Sequence, residues 1–154
     1  MRELFFSFST SSTNSTFFTF LEVNFRYSIE LDIMLVQKLN QMEEFIAGDG
    51  TRLRELLHPD KQPIELRYSL AHAIVPVGQT SIPHALTTSE VYYLLSGKGE
   101  MHIEDETQLV EAGDAVYIPP NAKQYIHNCG DEPLIFICIV DPAWRKEDET
   151  VFSS

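Results

Sequence analysis

The chain is poor in basic residues. Among its 154 residues, 11 are Lys or Arg and 23 are Asp or Glu, so the formal net charge is −12. A protein with this excess of negative charge repels the phosphate backbone of nucleic acids. The composition therefore argues against DNA or RNA as a partner.

Cysteine and long apolar runs are also scarce. The two cysteines, Cys129 and Cys138, form no CxxC pair and indicate no disulfide framework, which fits a reducing compartment. No apolar stretch approaches the ~20 residues that a membrane-spanning helix requires. These absences predict a cytoplasmic protein with no membrane partner. With 44% hydrophobic and 22% charged residues, the chain has the composition of a globular domain.

Residues 1–33 differ from the rest of the chain. They hold most of its ten phenylalanines and a Ser/Thr-rich run, without clear helical or strand periodicity. No unbroken apolar centre with a small-residue cleavage site, as in a signal peptide, is present. We expect residues 1–33 to be a disordered extension that adds nothing to the fold, with Met34 as the native start. Residues 34–154 then form a single domain.

A short helix is predicted at the start of this domain. Leu35, Leu39, Met42 and Ile46 follow one another at intervals of four, three and four residues, which is the apolar stripe of an amphipathic helix. The Gly48-Asp49-Gly50 sequence would end that helix, because glycine readily adopts the left-handed conformation of a C-terminal cap.

The rest of the domain has the pattern of short strands. Over residues 64–74 every second residue is apolar or His72, and this face is predicted to point inward. Further short strands are predicted between Gly, Pro, Asn and Asp turns, at residues 51–57, 91–95, 107–111, 115–118, 124–128 and 134–140. Turns at such close spacing predict an antiparallel sandwich or barrel.

Two residues that could act as ligands lie between glycine turns. Five residues separate Gly78 from His84, five separate His84 from Glu90, and six separate Glu90 from Gly97. This spacing resembles the first cupin motif, which runs Gly, five residues, His-x-His, three or four residues, Glu, six residues, Gly. Leu86 stands where that motif has its second His.

A second stretch resembles the second cupin motif, which runs Gly, five residues, Pro-x-Gly, two residues, His, three residues, Asn. The corresponding residues here are Gly113, Pro119, Asn121, Gln124 and Asn128. The two motifs together resemble the small single-domain type-2 cupins. The resemblance implies an all-β double-stranded β-helix, also called a jelly-roll barrel, preceded here by the short N-terminal helix.

The resemblance also implies a divalent transition metal held by three His and one Glu. His84 and Glu90 match two of these ligands, whereas Leu86 and Gln124 depart from the other two. His72, on the face predicted to point inward, could replace the missing imidazole and complete the set His72, His84, Glu90 and Gln124. Two nitrogen and two oxygen ligands suit Fe, Mn, Ni, Cu or Zn. Alternatively, His72 is a core histidine bonded to a backbone carbonyl.

Three further residues are weighed for this site. Tyr92 lies two residues after Glu90 and is expected on the same face of the strand. These two residues are the candidates for moving protons. Cys138 lies in an apolar strand and is expected to serve packing alone. His127 has the opposite parity to Gln124 and is expected to point outward.

Two functions from different classes therefore remain open, beside a mainly structural or oligomeric role that the sequence neither supports nor excludes. One is a metal-dependent enzyme acting on a small organic acid or sugar derivative, with open metal positions at the mouth of the barrel. The other is a non-catalytic module that binds or senses a small molecule and has lost part of the metal site, as Leu86 and Gln124 indicate. In both cases the partner is a small-molecule ligand, and the resemblance implies a homodimer.

Overall fold

Two antiparallel sheets make up the described part of the chain. The structure is a computed structural model that describes residues 34–152, so the predictions for residues 1–33 lie outside the described residues. The strands are β1 (Phe45–Ile46), β2 (Arg52–Leu57), β3 (Ser69–Val75), β4 (His84–Leu86), β5 (Ser89–Ser96), β6 (Lys98–Ile103), β7 (Glu106–Glu111), β8 (Ala115–Ile118), β9 (Gln124–Asn128), β10 (Leu134–Asp141) and β11 (Glu149–Val151).

The order of these strands forms two layers around one core. One sheet has the order β1-β2-β3-β10-β5-β8, and the other has the order β11-β4-β9-β6-β7. Inward-facing apolar side chains from both sheets pack together, and the largest of those that are fully buried are Phe136, Leu94, Ile126 and Leu134. The predicted all-β antiparallel architecture is confirmed. No helix in the described residues has the length and hydrophobicity needed to cross a membrane.

Most predicted strands are present. β8 and β9 agree with the prediction residue for residue, and β10 extends it by one residue. β4 and β11 were not predicted, because each has only three residues and a period of two needs a longer run to be visible. β11 lies in the acidic C-terminal segment, which returns to pair with β4.

The predicted amphipathic helix is wrong. One turn of 3-10 helix over Leu39–Gln41 stands in its place, followed by the two-residue strand β1. Ile46, the last residue of the predicted stripe, is 65% exposed and belongs to β1. With little of the stripe buried, nothing offsets the cost of nucleating so short a helix. Gly50, at a φ of 82°, lies in the turn between β1 and β2.

The predicted facing of β3 is also wrong. Its cavity-lining side chains are the small ones, Ser69, Ala71 and Ala73, whereas His72 lies on the opposite face. The outer face of this sheet carries large apolar residues such as Leu70 and Ile74. Because both faces of β3 are largely apolar, alternation in hydrophobicity could not distinguish them. The small inward side chains leave room for the cavity described below.

Asn128, the last residue of the second motif, holds three segments together. It is fully buried, and its Nδ2 donates hydrogen bonds to Val75 O and Glu132 O, both at 2.9 Å. Its Oδ1 accepts a hydrogen bond from Gly130 N at 3.0 Å. The side chain thus connects the end of β3 and the end of β9 to the loop that leads into β10.

We predict that Asn128→Ala lowers the free energy of unfolding by ~2–4 kcal/mol, because each buried polar group left without a partner costs ~1–3 kcal/mol. Urea denaturation measures the change. Gln108→Ala, which removes an amide side chain from an exposed position in β7, is the matched control and should change stability little. Equal effects of the two substitutions would show that Asn128 does not hold these segments together.

Candidate ligand cavity and its polar cluster

A cavity of about 270 Å³ lies inside the barrel, just below the ~300–1,000 Å³ of typical ligand pockets. Both sheets and the segment before β11 contribute to its walls. Most of its lining is apolar, and the larger apolar contributors are Phe45, Leu53, Leu86, Tyr92, Phe136, Val140 and Trp144. Three polar side chains of the lining, those of His84, Glu90 and Cys138, meet at one part of the wall. With Gln124, which is not part of the lining, they form the cluster here called the polar cluster.

His84 lies in β4 and is 4% exposed. Leu86, two residues further on the same face of the strand, also lines the cavity, as predicted. The Nδ1 atom of His84 lies 3.0 Å from Ile82 O. A carbonyl oxygen only accepts hydrogen bonds, so Nδ1 carries the proton of the neutral ring. The Nε2 atom therefore presents a lone pair to the polar cluster.

Gln124 lies opposite His84 in the register of β9 against β4, and it is 1% exposed. Its Nε2 atom lies 3.0 Å from His84 Nε2 and also donates a hydrogen bond to Glu90 Oε2. The amide group thus uses its two hydrogens on the lone pairs of an imidazole and a carboxyl group. The opposite orientation would place Gln124 Oε1 against His84 Nε2, which only accepts in this tautomer. In the observed orientation Oε1 is buried without a hydrogen-bond partner.

Glu90 lies in β5 and is 5% exposed. Burial raises the pKa of its carboxyl group above the usual value, although hydrogen bonds from Cys138 and Gln124 and the nearby His84 act in the opposite direction. Glu90 thus binds a proton more tightly than an exposed glutamate does. A carboxyl group in this state can act as a general acid.

Cys138 is the site residue that the sequence prediction missed, and its expected role as packing alone is corrected. Its Sγ lies 2.8 Å from Glu90 Oε1, and burial raises the pKa of the thiol well above its usual value. The group therefore remains a thiol that can donate to Glu90. Register places Cys138 beside Tyr92, two residues from Glu90. Cys138 lies on the same face of β10 as Phe136 and Val140, and this alternation was the available signal that it points inward. The pairing of β10 with β5 was needed to show that it meets Glu90.

Tyr92, the other candidate for moving protons, also lines the cavity. Its ring packs against Phe136 with the two centroids 4.3 Å apart. Burial raises the pKa of the phenol well above its usual value, so the group is neutral at physiological pH. Tyr92 is therefore both a core residue and part of the cavity wall.

His72 does not join the polar cluster. It pairs in register with Arg54 of β2 on the outer face of the sheet, and its Nδ1 has no hydrogen-bond partner. Burial, and then the positive charge of Arg54, lower the pKa of its imidazole. The predicted replacement of the missing ligand by His72 is therefore wrong. His127, as predicted, lies outside the cavity lining and contacts Thr80 Oγ1 at 2.8 Å.

The residues that meet in the cavity do not fit a resident divalent metal. In the range 34–152, no three His, Cys, Asp or Glu side chains are placed to hold a metal ion together. Gln124 directs its NH₂ group, which is not a metal ligand, at both His84 and Glu90. Leu86 presents only carbon where a third strong ligand would be needed. Of the four predicted ligands, the structure brings together His84, Glu90 and Gln124.

Comparison with known proteins agrees with this fold. Residues 71–140 match the family model described as a cupin domain. An uncharacterized protein of Methanocaldococcus jannaschii is 39% identical over 73% of this chain and 90% of its own length. The chain is a cupin. The family assignment confirms the resemblance to small single-domain type-2 cupins and the jelly-roll barrel that it implied.

Solved structures show how widely this cupin fold is shared. A cupin 2 conserved barrel domain protein from Salinispora arenicola superposes with a TM-score of 0.62 at 19% identity, covering 75% of this chain and 92% of that one. Oxalate decarboxylase from Bacillus subtilis superposes with a TM-score of 0.63 at 26% identity, covering 74% of this chain. The match spans 30% of the decarboxylase, so the likeness concerns one barrel of a longer protein.

We predict that Glu90 makes this cupin less stable as the pH rises. A carboxyl group with a raised pKa contributes stability below its unfolded pKa of ~4.3, and this contribution is lost as the pH rises through the folded-state value. Glu90→Gln cannot ionise, so its stability relative to the wild type should increase between about pH 5 and pH 8. Urea midpoints across this range measure the difference.

Glu106→Gln, at an exposed position in β7, is the control for this experiment. Its urea midpoint should change with pH in the same way as that of the wild type. Parallel pH profiles of Glu90→Gln and the wild type would contradict the raised pKa of Glu90.

Proposed function

We propose that this cupin binds a small organic molecule in its barrel cavity without a resident metal ion. The observation that carries the proposal is the Gln124 amide nitrogen, which donates to both His84 Nε2 and Glu90 Oε2. A metal would have to displace this amide from two buried acceptors. It would then find only His84 and Glu90 as strong ligands, since Leu86 has no donor atom.

Two kinds of side chain in the cavity wall would contribute to ligand recognition. Apolar and aromatic side chains supply contact area for a small ligand, and the polar cluster supplies a few fixed hydrogen-bonding groups at one part of the wall. Each group of the cluster is held by a neighbour, as His84 is by Ile82 O and Glu90 by Cys138. A ligand would therefore meet groups that are already oriented, which lowers the entropic cost of binding.

A second candidate function is proton transfer on the bound molecule. The raised pKa of Glu90 favours it, because a buried carboxyl group that holds its proton at the cavity wall can donate that proton to a ligand. Glu90 would give its proton to one ligand atom, and His84 would take a proton from another once the ligand displaces the Gln124 amide from Nε2. Exchange of ligand hydrogen for deuterium in D₂O, lost in Glu90→Gln, would distinguish this enzyme from a binding module.

The metal-dependent enzyme acting on a small organic acid or sugar derivative is the competing hypothesis, and Leu86 offers a direct test. We predict that the wild-type protein, purified without an affinity tag, holds well under one equivalent of transition metal. Leu86→His should bind Co²⁺ at least ~10-fold more tightly than the wild type, which corresponds to ~1.4 kcal/mol. The new imidazole would join His84 on the same face of β4. Metal analysis and Co²⁺ absorption titrations measure both effects.

Leu86→Asn is the control for this test, because it adds polarity without adding an imidazole. Wild-type protein isolated with about one tightly held metal per chain would contradict the metal-free proposal. Equal Co²⁺ affinity of Leu86→His and the wild type would show that position 86 cannot contribute a ligand.

The predicted homodimer is a separate proposal, and the outer face of the six-stranded sheet supports it. Apart from His72, this face is apolar across four neighbouring strands, and its apolar residues include Leu70, Ile74, Val91, Tyr93, Leu95, Tyr117, Ile135, Ile137 and Ile139. Tyr93, Leu95 and Tyr117 are 46%, 45% and 62% exposed. Copies with a net charge of −12 repel one another, and they approach at least cost where the surface is uncharged.

We predict that the wild-type protein sediments as a dimer and that Tyr93→Lys shifts it to a monomer, because the new charge would be buried against its own copy. Leu109→Lys is the control, since Leu109 is 70% exposed in β7 of the other sheet. A wild-type monomer in sedimentation velocity would contradict the proposal. A shift caused equally by Leu109→Lys would place the interface elsewhere.

A further inference from the structure

The cavity wall is acidic. Its lining contains four carboxyl side chains, those of Asp49, Glu55, Glu90 and Glu149, and one basic side chain, that of Lys61. Lys61 Nζ lies 2.8 Å from Glu55 Oε1, so its charge is already paired. Burial raises the pKa of Glu90, so the negative charge of the lining comes mainly from Asp49 and Glu149. An anionic ligand would meet this charge with no free cation to receive it, which disfavours carboxylates and phosphates.

Glu149 is the carboxylate most available to a ligand. Glu149 lies in β11, and its carboxylate lies beside Gly48. A Cβ atom added to Gly48 would lie 3.2 Å from both carboxylate oxygens of Glu149. It has no ion-pair partner in the described part of the chain. Asp49 differs, because its two oxygens accept hydrogen bonds from the backbone N and the hydroxyl group of Thr51.

The amide and thiol donors of the polar cluster are used within it. Both hydrogens of the Gln124 amide and the thiol hydrogen of Cys138 are used on His84 and Glu90. Gln124 itself does not line the cavity, so its buried Oε1 is not a contact for a ligand there. The groups of the cluster that line the cavity are His84, Glu90 and Cys138.

Aromatic rings complete the cavity. Phe45, Tyr92, Phe136 and Trp144 all contribute to its lining. The faces of such rings attract a cation through their quadrupoles, by ~0.5–1 kcal/mol when exposed and ~2 or more when desolvated. The rings and the carboxylates thus both favour a positively charged ligand.

We infer that the ligand of this cavity is a small organic cation, a protonated amine carried on an apolar body. The inference rests on the proposed function, since it names the chemical class of ligand for the same cavity. The ammonium group supplies a positive charge, and the basic side chain of the lining, Lys61, is already paired with Glu55. The apolar body contacts the aromatic and aliphatic side chains.

Three probes of similar shape and different charge test the inference on the full chain: benzylamine, benzyl alcohol and benzoate. Isothermal titration calorimetry should show benzylamine binding at least ~10-fold more tightly than benzoate, which corresponds to ~1.4 kcal/mol, with benzyl alcohol between them. Glu149→Gln should weaken benzylamine binding several-fold and leave benzyl alcohol binding unchanged. Glu106→Gln, which removes an exposed carboxylate from β7, should leave the affinities for all three probes unchanged.

The outcomes separate this inference from the proposed function. Equal or tighter binding of benzoate would overturn the cationic class while leaving a ligand-binding cavity. Unchanged benzylamine affinity in a Glu149→Gln protein that melts like the wild type would overturn the inferred attraction by Glu149. Failure of all three probes to bind would contradict both the inference and the proposed cavity function.

Discussion

The site depends on one side-chain amide. Gln124 in one sheet donates to His84 in its own sheet and to Glu90 in the other, so its NH₂ group connects the two layers at the cavity wall. A buried polar group left without a partner costs ~1–3 kcal/mol, so both acceptors depend on this amide. Because the amide satisfies both acceptors itself, neither His84 nor Glu90 needs a metal ion as a partner. Glu90 lies where it accepts from this amide, and His84 has the tautomer that accepts from it. Leu86 adds no ligand atom that would favour a metal instead.

Much of the fold could be predicted from local pattern. The period of two and the turn residues located β8, β9 and β10 closely, because strands of four or more residues between Gly, Pro and Asn turns leave a clear signal. β4 and β11 were too short for that signal. The stripe that predicted a helix before β1 had the right spacing, but spacing alone does not show whether a surface exists for the stripe to cover.

The site could be predicted in part. His84, Glu90 and Gln124 were found because the motif spacing reports how the chain brings them together. His72 was misplaced because the alternation of β3 is ambiguous when both faces are apolar. Cys138 was missed because its contact with Glu90 depends on the register of β10 against β5, which no local pattern encodes. The errors at His72 and Cys138 have one physical origin. Pairing between strands that are distant in the sequence decides which side chains share a cavity.

The orientation of the Gln124 amide is the central claim, and through-hydrogen-bond NMR tests it most directly. In protein labelled with ¹⁵N, a scalar coupling between Gln124 Nε2 and His84 Nε2 would report the N–H···N bond itself. We expect this coupling together with a His84 ring protonated at Nδ1, and both unchanged when Zn²⁺ is added. Absence of the coupling, with Zn²⁺ shifting the Gln124 and His84 resonances together, would show that the amide presents its oxygen to a metal and would contradict the account.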